Sequence, residues 1–440
     1  MKRLFVGVGA ALAVVAVLLV VGGASASALH PGVPARSGVP LLTLAKTPTK
    51  TVTVGKAPEG VVYDAANTET LIANSGSGTV SAVNSTTYAV TSITVGTDPE
   101  VLTYAASTGE VYVLNEGSDS ISVIDSSNTV TKTVTIAGDI LSEVYDPANG
   151  DVYVLYVGAS GYEMADINHS TFKLTTIALP AGAIYISYDN ATSSLVVSSG
   201  EENELTAIGS SDTTTTITLT TGLYPTWMTY DPFNSDLYVT DAGVTSTGYT
   251  KTGNVSVIAS NNKVVATIKV GFVPTLSTYD PDNHDIYQVN TGEVKGKTYP
   301  TSTVSVITSS NAVTATLTVG KYAVIAGFDP KNDDMYVSCG ASNKTYVISS
   351  ANAIVAKLTT KDFGAESVYD PGLGDMLAVG FSSLENHNST AKTIVTLIPS
   401  TNTGTSTVTL GPGPTGGGAY DPKDLGAWFA NHGDTVTVIL

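Results

Sequence analysis

The chain has 440 residues, only 13% of them charged, with 42 glycines, a net charge of −18, and Ser plus Thr making up about a quarter. A chain so poor in Lys, Glu and Arg lacks the residues of surface helices, which excludes long helical bundles and coiled coils. Its 42% hydrophobic residues exclude disorder. Arg3 and Arg36 are the only arginines and both lie near the N-terminus, so no basic patch exists to neutralise phosphates and nucleic-acid binding is excluded.

Met1, Lys2 and Arg3 form a basic start, followed by an apolar run from Leu4 to Gly23. Ala24, Ser25, Ala26, Ser27 and Ala28 then offer A-x-A cleavage sites after Ala26 or Ala28. Residues 1–28 read as a signal peptide or, alternatively, as an uncleaved anchor, because a run of about 20 apolar residues also spans a bilayer. Both readings predict an extracellular or cell-surface location, with membrane contact only through this segment. Residues 29–48 hold Pro, Gly and Ser without periodicity and read as a linker. The folded body is predicted over 49–440.

That body is a repeat. An aromatic followed by Asp recurs at Tyr63-Asp64, Tyr145-Asp146, Tyr188-Asp189, Tyr230-Asp231, Tyr279-Asp280, Phe328-Asp329, Tyr369-Asp370 and Tyr420-Asp421, and Tyr104-Ala105 is a degenerate copy. The spacings run from 41 to 51 residues, and six copies carry Pro after the Asp. Within each copy, short alternating or apolar runs are bounded by Asp, Asn, Gly, Ser or Pro, the period-2 signature of strands joined by tight turns. Four strands in about 40 residues match one propeller blade. They are named A to D in chain order.

The last copy ends after its C run, Thr435 to Ile439, without a D strand. An orphan D-like run, Thr51-Val52-Thr53-Val54-Gly55, precedes the first copy. Pairing the two would close a ring and leave no open sheet edge. The expected fold is therefore all-β, a single β-propeller of four-stranded blades. Nine repeats are counted, or seven or eight blades if copies pack irregularly. The third and fourth copies, with weak C runs Met164-Ala165-Asp166-Ile167 and Leu205-Thr206-Ala207-Ile208, are the candidates for irregular packing.

Copies such as Val111-Tyr112-Val113-Leu114-Asn115 followed by Ile121-Ser122-Val123-Ile124-Asp125, with Val-Gly-x-x-Pro before an A strand (Gly55 to Pro58, Gly96 to Pro99), resemble YVTN-type β-propeller repeats. Such repeats occur in archaeal surface-layer and bacterial cell-surface proteins, and the resemblance covers about residues 50 to 440. It implies that A strands line a central channel, that D–A and B–C loops share one rim, and that A–B and C–D turns share the other. The three long spacings all come from B–C loops (241–253, 290–302 and 380–391), as expected of a binding face.

Glu59 and Glu100 stand at equivalent positions, four residues before Tyr63 and Tyr104, with Glu143 and Glu366 nearby in their own copies. These four carboxylates are expected to crowd one mouth of the channel, where a cation or a basic or hydroxyl-rich ligand would bind. The Asp-Pro-x-Asn-x-Asp segments at 146–151, 231–236, 280–285 and 329–334 have the oxygens calcium wants, yet Asp and Pro at these positions are ordinary β-turn chemistry. His387 and His432 lack metal-site spacing, no cofactor motif is present, and Cys339 cannot form an intramolecular disulfide. Sequons at Asn84, Asn168, Asn190, Asn254, Asn343 and Asn388 are candidate glycosylation sites, at the number chance would give. The expected function is an exported, non-enzymatic binding or envelope-structural propeller whose partners are envelope components or surface proteins. The alternatives are an extracytoplasmic propeller enzyme of lyase, lactonase or quinoprotein type, or a protein binding a small ligand or a cation such as calcium.

Overall fold

The computed structural model describes residues 49–440 except 222, 246–247, 250–251, 293–299, 361–362, 382–391, 413–417, 424–425 and 432. The signal or anchor segment, the linker, His387, His432 and the Asn388 sequon therefore lie outside the described residues, as does the side chain of Glu366.

Nine four-stranded antiparallel sheets follow one another in chain order. Blade 1 comprises Pro58–Asp64, Glu69–Asn74, Thr79–Asn84 and Val90–Thr94, each strand paired with the next as an A-B-C-D meander. The meander repeats in blades 2 to 8, whose A strands begin at Pro99, Gly138, Ala183, Pro225, Pro274, Ala323 and Phe363. Blade 9 joins Gly418–Asp421, Gly426–Asn431 and Thr435–Ile439 to the N-terminal strand Thr49–Thr53. That strand pairs Thr49 with Ile439 and Val52 with Val436, closing the ring. The seam is filled by Val52, Val436, Val438 and the fully buried Trp428, on which Tyr88 of blade 1 stacks at 5.9 Å. The Lys50 ammonium sits over the Tyr88 ring, 3.3 Å from its centroid.

The third and fourth copies do not pack irregularly. Their C strands, Gly161–Ile167 and Glu204–Gly209, pair along their length with both neighbours. Asp166 and Thr206 make these runs more polar than their neighbours, and both are buried. A C strand in this ring is buried on both faces between neighbouring blades, so its polar residues are buried with the apolar ones. The hydrophobic clusters lie accordingly between blades. One of them joins Val101, Tyr112 and Ile121 of blade 2 to Val152, Val154 and Ile167 of blade 3. D strands form the outer wall; in the D strand of blade 1 only Ile93 is buried.

The Asp-Pro-x-Asn-x-Asp segments are turns, and they are also latches between blades. In blade 6 the Asp280 Oδ1 accepts the backbone N–H groups of Asp282 and Asn283, capping the A–B turn. Asn283 then donates to the Tyr287 hydroxyl at 3.0 Å, and that hydroxyl donates to Asn352 in the C–D turn of blade 7. Asn352 returns a bond to Asp285 at 2.9 Å. The same set recurs as Asn332, Tyr336, Asn402 and Asp334 between blades 7 and 8, and as Asn234, Tyr238 and Asn311 between blades 5 and 6. A tyrosine hydroxyl buried in an otherwise apolar interface needs such partners, which explains why the turn and the Tyr of the B strand occur together.

Candidate functional site at the loop rim

The D–A and B–C loops meet on one rim. In blade 1 the N–H groups of Ser75 and Gly76 donate to the carbonyls of Ala57 and Lys56, and in blade 2 those of Glu116 and Gly117 donate to Asp98 and Thr97. The A–B and C–D turns meet on the other rim, where Ser85 N–H donates to the Thr68 carbonyl. The Val-Gly-x-x-Pro signature follows from this docking. A Cβ on Gly55 would stand 2.7 Å from the Asn74 side chain, and one on Gly96 would stand 2.6 Å from Asn115. Those asparagines end their B strands and donate to Ser81 and to Ser122 on the C strands. Cys339 takes the equivalent position in blade 7, buried, and burial pushes its thiol up to about 12.

Next to these loops, the A strands of blades 1 to 8 each carry a register shift near their first residues. Such bulges re-aim side chains where strands meet a site. In blades 1 and 2 the shifted residues include Glu59 and Glu100, both half-exposed. The docking of the B–C loop brings Glu116 beside Asp98, which holds a left-handed φ of 56° in the D–A loop. One carboxylate oxygen from each of Asp98, Glu100 and Glu116 lies within 4.8 Å of the others. Burial, then Glu116, Glu59 and Asp98, push the Glu100 carboxyl up to about 8. Burial followed by Asp98 pushes Glu59 up to about 7. Three acids thus share a small volume, with Glu59 near enough to act on Glu100, and a cation placed among them would favour the charged forms.

Glu143 does not join them. The shift after Ile140 places it opposite Val154, in the interface between blades 2 and 3, with 4% of its surface exposed. The Thr103 hydroxyl approaches and slightly favours the ionised form, but neither carboxylate oxygen completes a hydrogen bond. Burial pushes this carboxyl up to about 8, so it is neutral at pH 7. Glu366 lies on the A strand of blade 8, paired with Val379. Of the sequons, Asn190 and Asn343 are exposed, whereas Asn84, Asn168 and Asn254 are half-buried. Asn168 is also bonded through Nδ2 to Asp151, which accepts the His169 ring at 2.7 Å. The B–C insertion of blade 5 folds as a two-residue ladder, Val244–Thr245 with Gly248–Tyr249.

No protein-family model matches the sequence, and no curated protein is similar to it. Among solved structures, the Dos1 propeller is similar over 89% of this chain and 95% of its own, at 11% identity and a TM-score of 0.56. The dihydro-heme d1 dehydrogenase NirN, solved in complex with DHE, is similar over 70% of this chain and 66% of its own, at 14% identity and a TM-score of 0.52. At these identities the likeness is one of fold. The chain is a nine-bladed β-propeller. Virginiamycin B lyase from Staphylococcus aureus covers 89% of this chain with 99% of its own at 13% identity, but its TM-score of 0.45 carries no argument about the site. The likenesses thus include enzymes, and one fold hosts many functions.

Proposed function

We propose that this is an exported, cell-surface propeller of the YVTN type that acts by binding rather than catalysis, presenting its D–A/B–C rim to a positively charged component of the cell envelope. The observation that carries this reading is the gathering of Asp98, Glu100, Glu116 and Glu59 on the rim that also bears the long B–C loops. A chain with net charge −18 attracts basic partners at long range, and a focused acidic mouth strengthens that attraction locally. The signal-like N-terminus fits a partner outside the cytoplasm. Among the described sequons, Asn190 and Asn343 are the exposed ones and the most open to glycosylation.

The test is co-sedimentation of the mature protein with purified envelope material, alongside a variant carrying Glu59→Gln, Asp98→Asn, Glu100→Gln and Glu116→Gln. Binding is expected to weaken with added salt and to fall at least tenfold in the variant. Undiminished binding by a folded variant overturns the reading.

A second reading, a calcium-binding protein, is favoured by the three oxygens within 4.8 Å. Calorimetry with calcium chloride at low salt separates the two, since saturable heat abolished by Glu100→Gln belongs only to the second.

A further inference from the structure

The adjoining arc of the same rim, over blades 3 to 5, carries aromatic side chains. Tyr162 opens the C strand of blade 3, Tyr185 and Trp227 lie near the starts of the A strands of blades 4 and 5, and Tyr249 lies on the blade 5 hairpin. Tyr224 occupies the D–A loop of blade 5 with φ 62°, the position that Asp98 fills in blade 2. A left-handed backbone at so bulky a residue is costly, and it persists because the surroundings hold it. The Tyr224 N–H donates to Asn203 Oδ1 at 2.7 Å, and its ring lies so near Gly200 that a Cβ there would stand 3.0 Å from it. Glu201, exposed in the B–C turn of blade 4, is close enough with Tyr162 and Tyr249 to push the Tyr224 phenol upward after burial has done so. Tyr185 and Trp227 meet edge to face at 6.2 Å, and the Trp227 indole N–H donates to the Ser277 carbonyl of blade 6, which fixes the ring. All five aromatic residues are partly exposed; Lys269, at the end of the blade 5 D strand, lines a depression with Leu223 and Gly243, and Lys251 of the blade 5 B–C loop lies outside the described residues.

Fixed aromatic rings beside an exposed carboxylate, in a strongly negative molecule, have the complement of an alkyl guanidinium or ammonium group. We infer that this aromatic arc, centred on Tyr224, receives an arginine or lysine side chain of a polypeptide partner, over the ring faces and toward Glu201. The inference deepens the binding reading above and rests on it, because it gives the positively charged partner a chemical class. A neutral sugar also stacks on such rings, but it gains nothing from the negative field, so charge complementarity favours the cation.

The protein carries its own reporter. Of its two tryptophans, Trp428 is fully buried in the ring seam, so a ligand-dependent change in emission reports Trp227. The mature protein is titrated with a blocked Gly-Arg-Gly amide, and with blocked triglycine amide and maltose as neutral probes. A saturable change with the arginine peptide alone is expected, and it should weaken with salt. Tyr224→Ala and Glu201→Gln should each weaken it about three- to tenfold, as loss of one cation–π or one charge contact does. Tyr224→Phe keeps the ring and its packing and should bind nearly as wild type, so a folding defect in Tyr224→Ala is recognised as such. Silence toward arginine, or an equal response to triglycine or maltose, overturns the inference. If the four-carboxylate variant loses envelope binding while Trp227 stays silent to arginine, the aromatic inference falls and the binding reading stands. If arginine binds but envelope binding survives loss of both halves of the mouth, the binding reading falls instead.

Discussion

Glu143 should make the protein lose stability as the pH rises, and a single isosteric change should remove that loss. The unfolded chain releases this proton near 4.5, whereas burial holds it in the folded protein up to about 8. Between those values the folded state binds more protons than the unfolded state, so stability is complete below about 4.5 and is lost as pH rises through about 8. The loss runs at about 1.4 kcal/mol per pH unit, which bounds it at roughly 5 kcal/mol by the alkaline end. Glu143→Gln keeps the shape and the neutral character but has no proton to lose. Urea unfolding of both proteins should therefore give similar stability at pH 5 and a variant more stable by several kcal/mol at pH 8.5. The other raised acids, among them Glu59, Glu100, Asp166, Asp241 and Asp280, are present in both proteins and cancel in the difference. Parallel stability profiles across this range would refute the assignment of a buried, neutral carboxyl at this site.

Tyr287→Phe removes the hydroxyl that joins Asn283 to Asn352 across blades 6 and 7, and it should cost about 1–3 kcal/mol in urea unfolding, two modest hydrogen bonds plus polar groups left unpaired. A loss that is the same whether or not Asn352 is already Ala would show that the two do not form one latch. Val52→Asp places a charge in the seam beside Trp428 and Val436, and it should release the N-terminal strand to proteolysis before the rest of the ring unfolds. The Cys339 thiol, buried and pushed up to about 12, should react with a thiol reagent at pH 8 only after denaturant is added.

The ring was legible because its strongest signals are local. Tyr-Asp-Pro marks the end of an A strand and the start of a turn in every copy that has it, and the orphan run at Thr51 to Val54 matches the D run that the last copy lacks. The latch was half legible. The turn chemistry of Asp280 is in its own segment, while the partner of Tyr287 lies 65 residues away at Asn352. The recurrence of Tyr seven residues after the turn Asp, at 153, 238, 287 and 336, was the signal that would have found it. The acidic mouth was legible in Glu59 and Glu100, which share a position, but not in Asp98 and Glu116, which only loop docking brings beside them. Glu143 was misplaced for a physical reason. It stands two residues before Tyr145, not four, which is the register position of Val61 and Leu102, and those side chains pack against the preceding blade. The aromatic arc was not legible either, because its members come from three separate blades and meet only when those blades pack side by side.

Which rim binds is the question on which the functional account turns, and one comparison answers it directly. The variant neutralised at Glu59, Asp98, Glu100 and Glu116 is set against one neutralised on the opposite rim, at Asp236, Asp282 and Asp333, in the same envelope co-sedimentation at the same ionic strength. Loss of binding in the first alone is the expected result. Equal losses in both would reduce the interaction to net charge, and loss in the second alone would place the binding face on the A–B/C–D side and contradict the account.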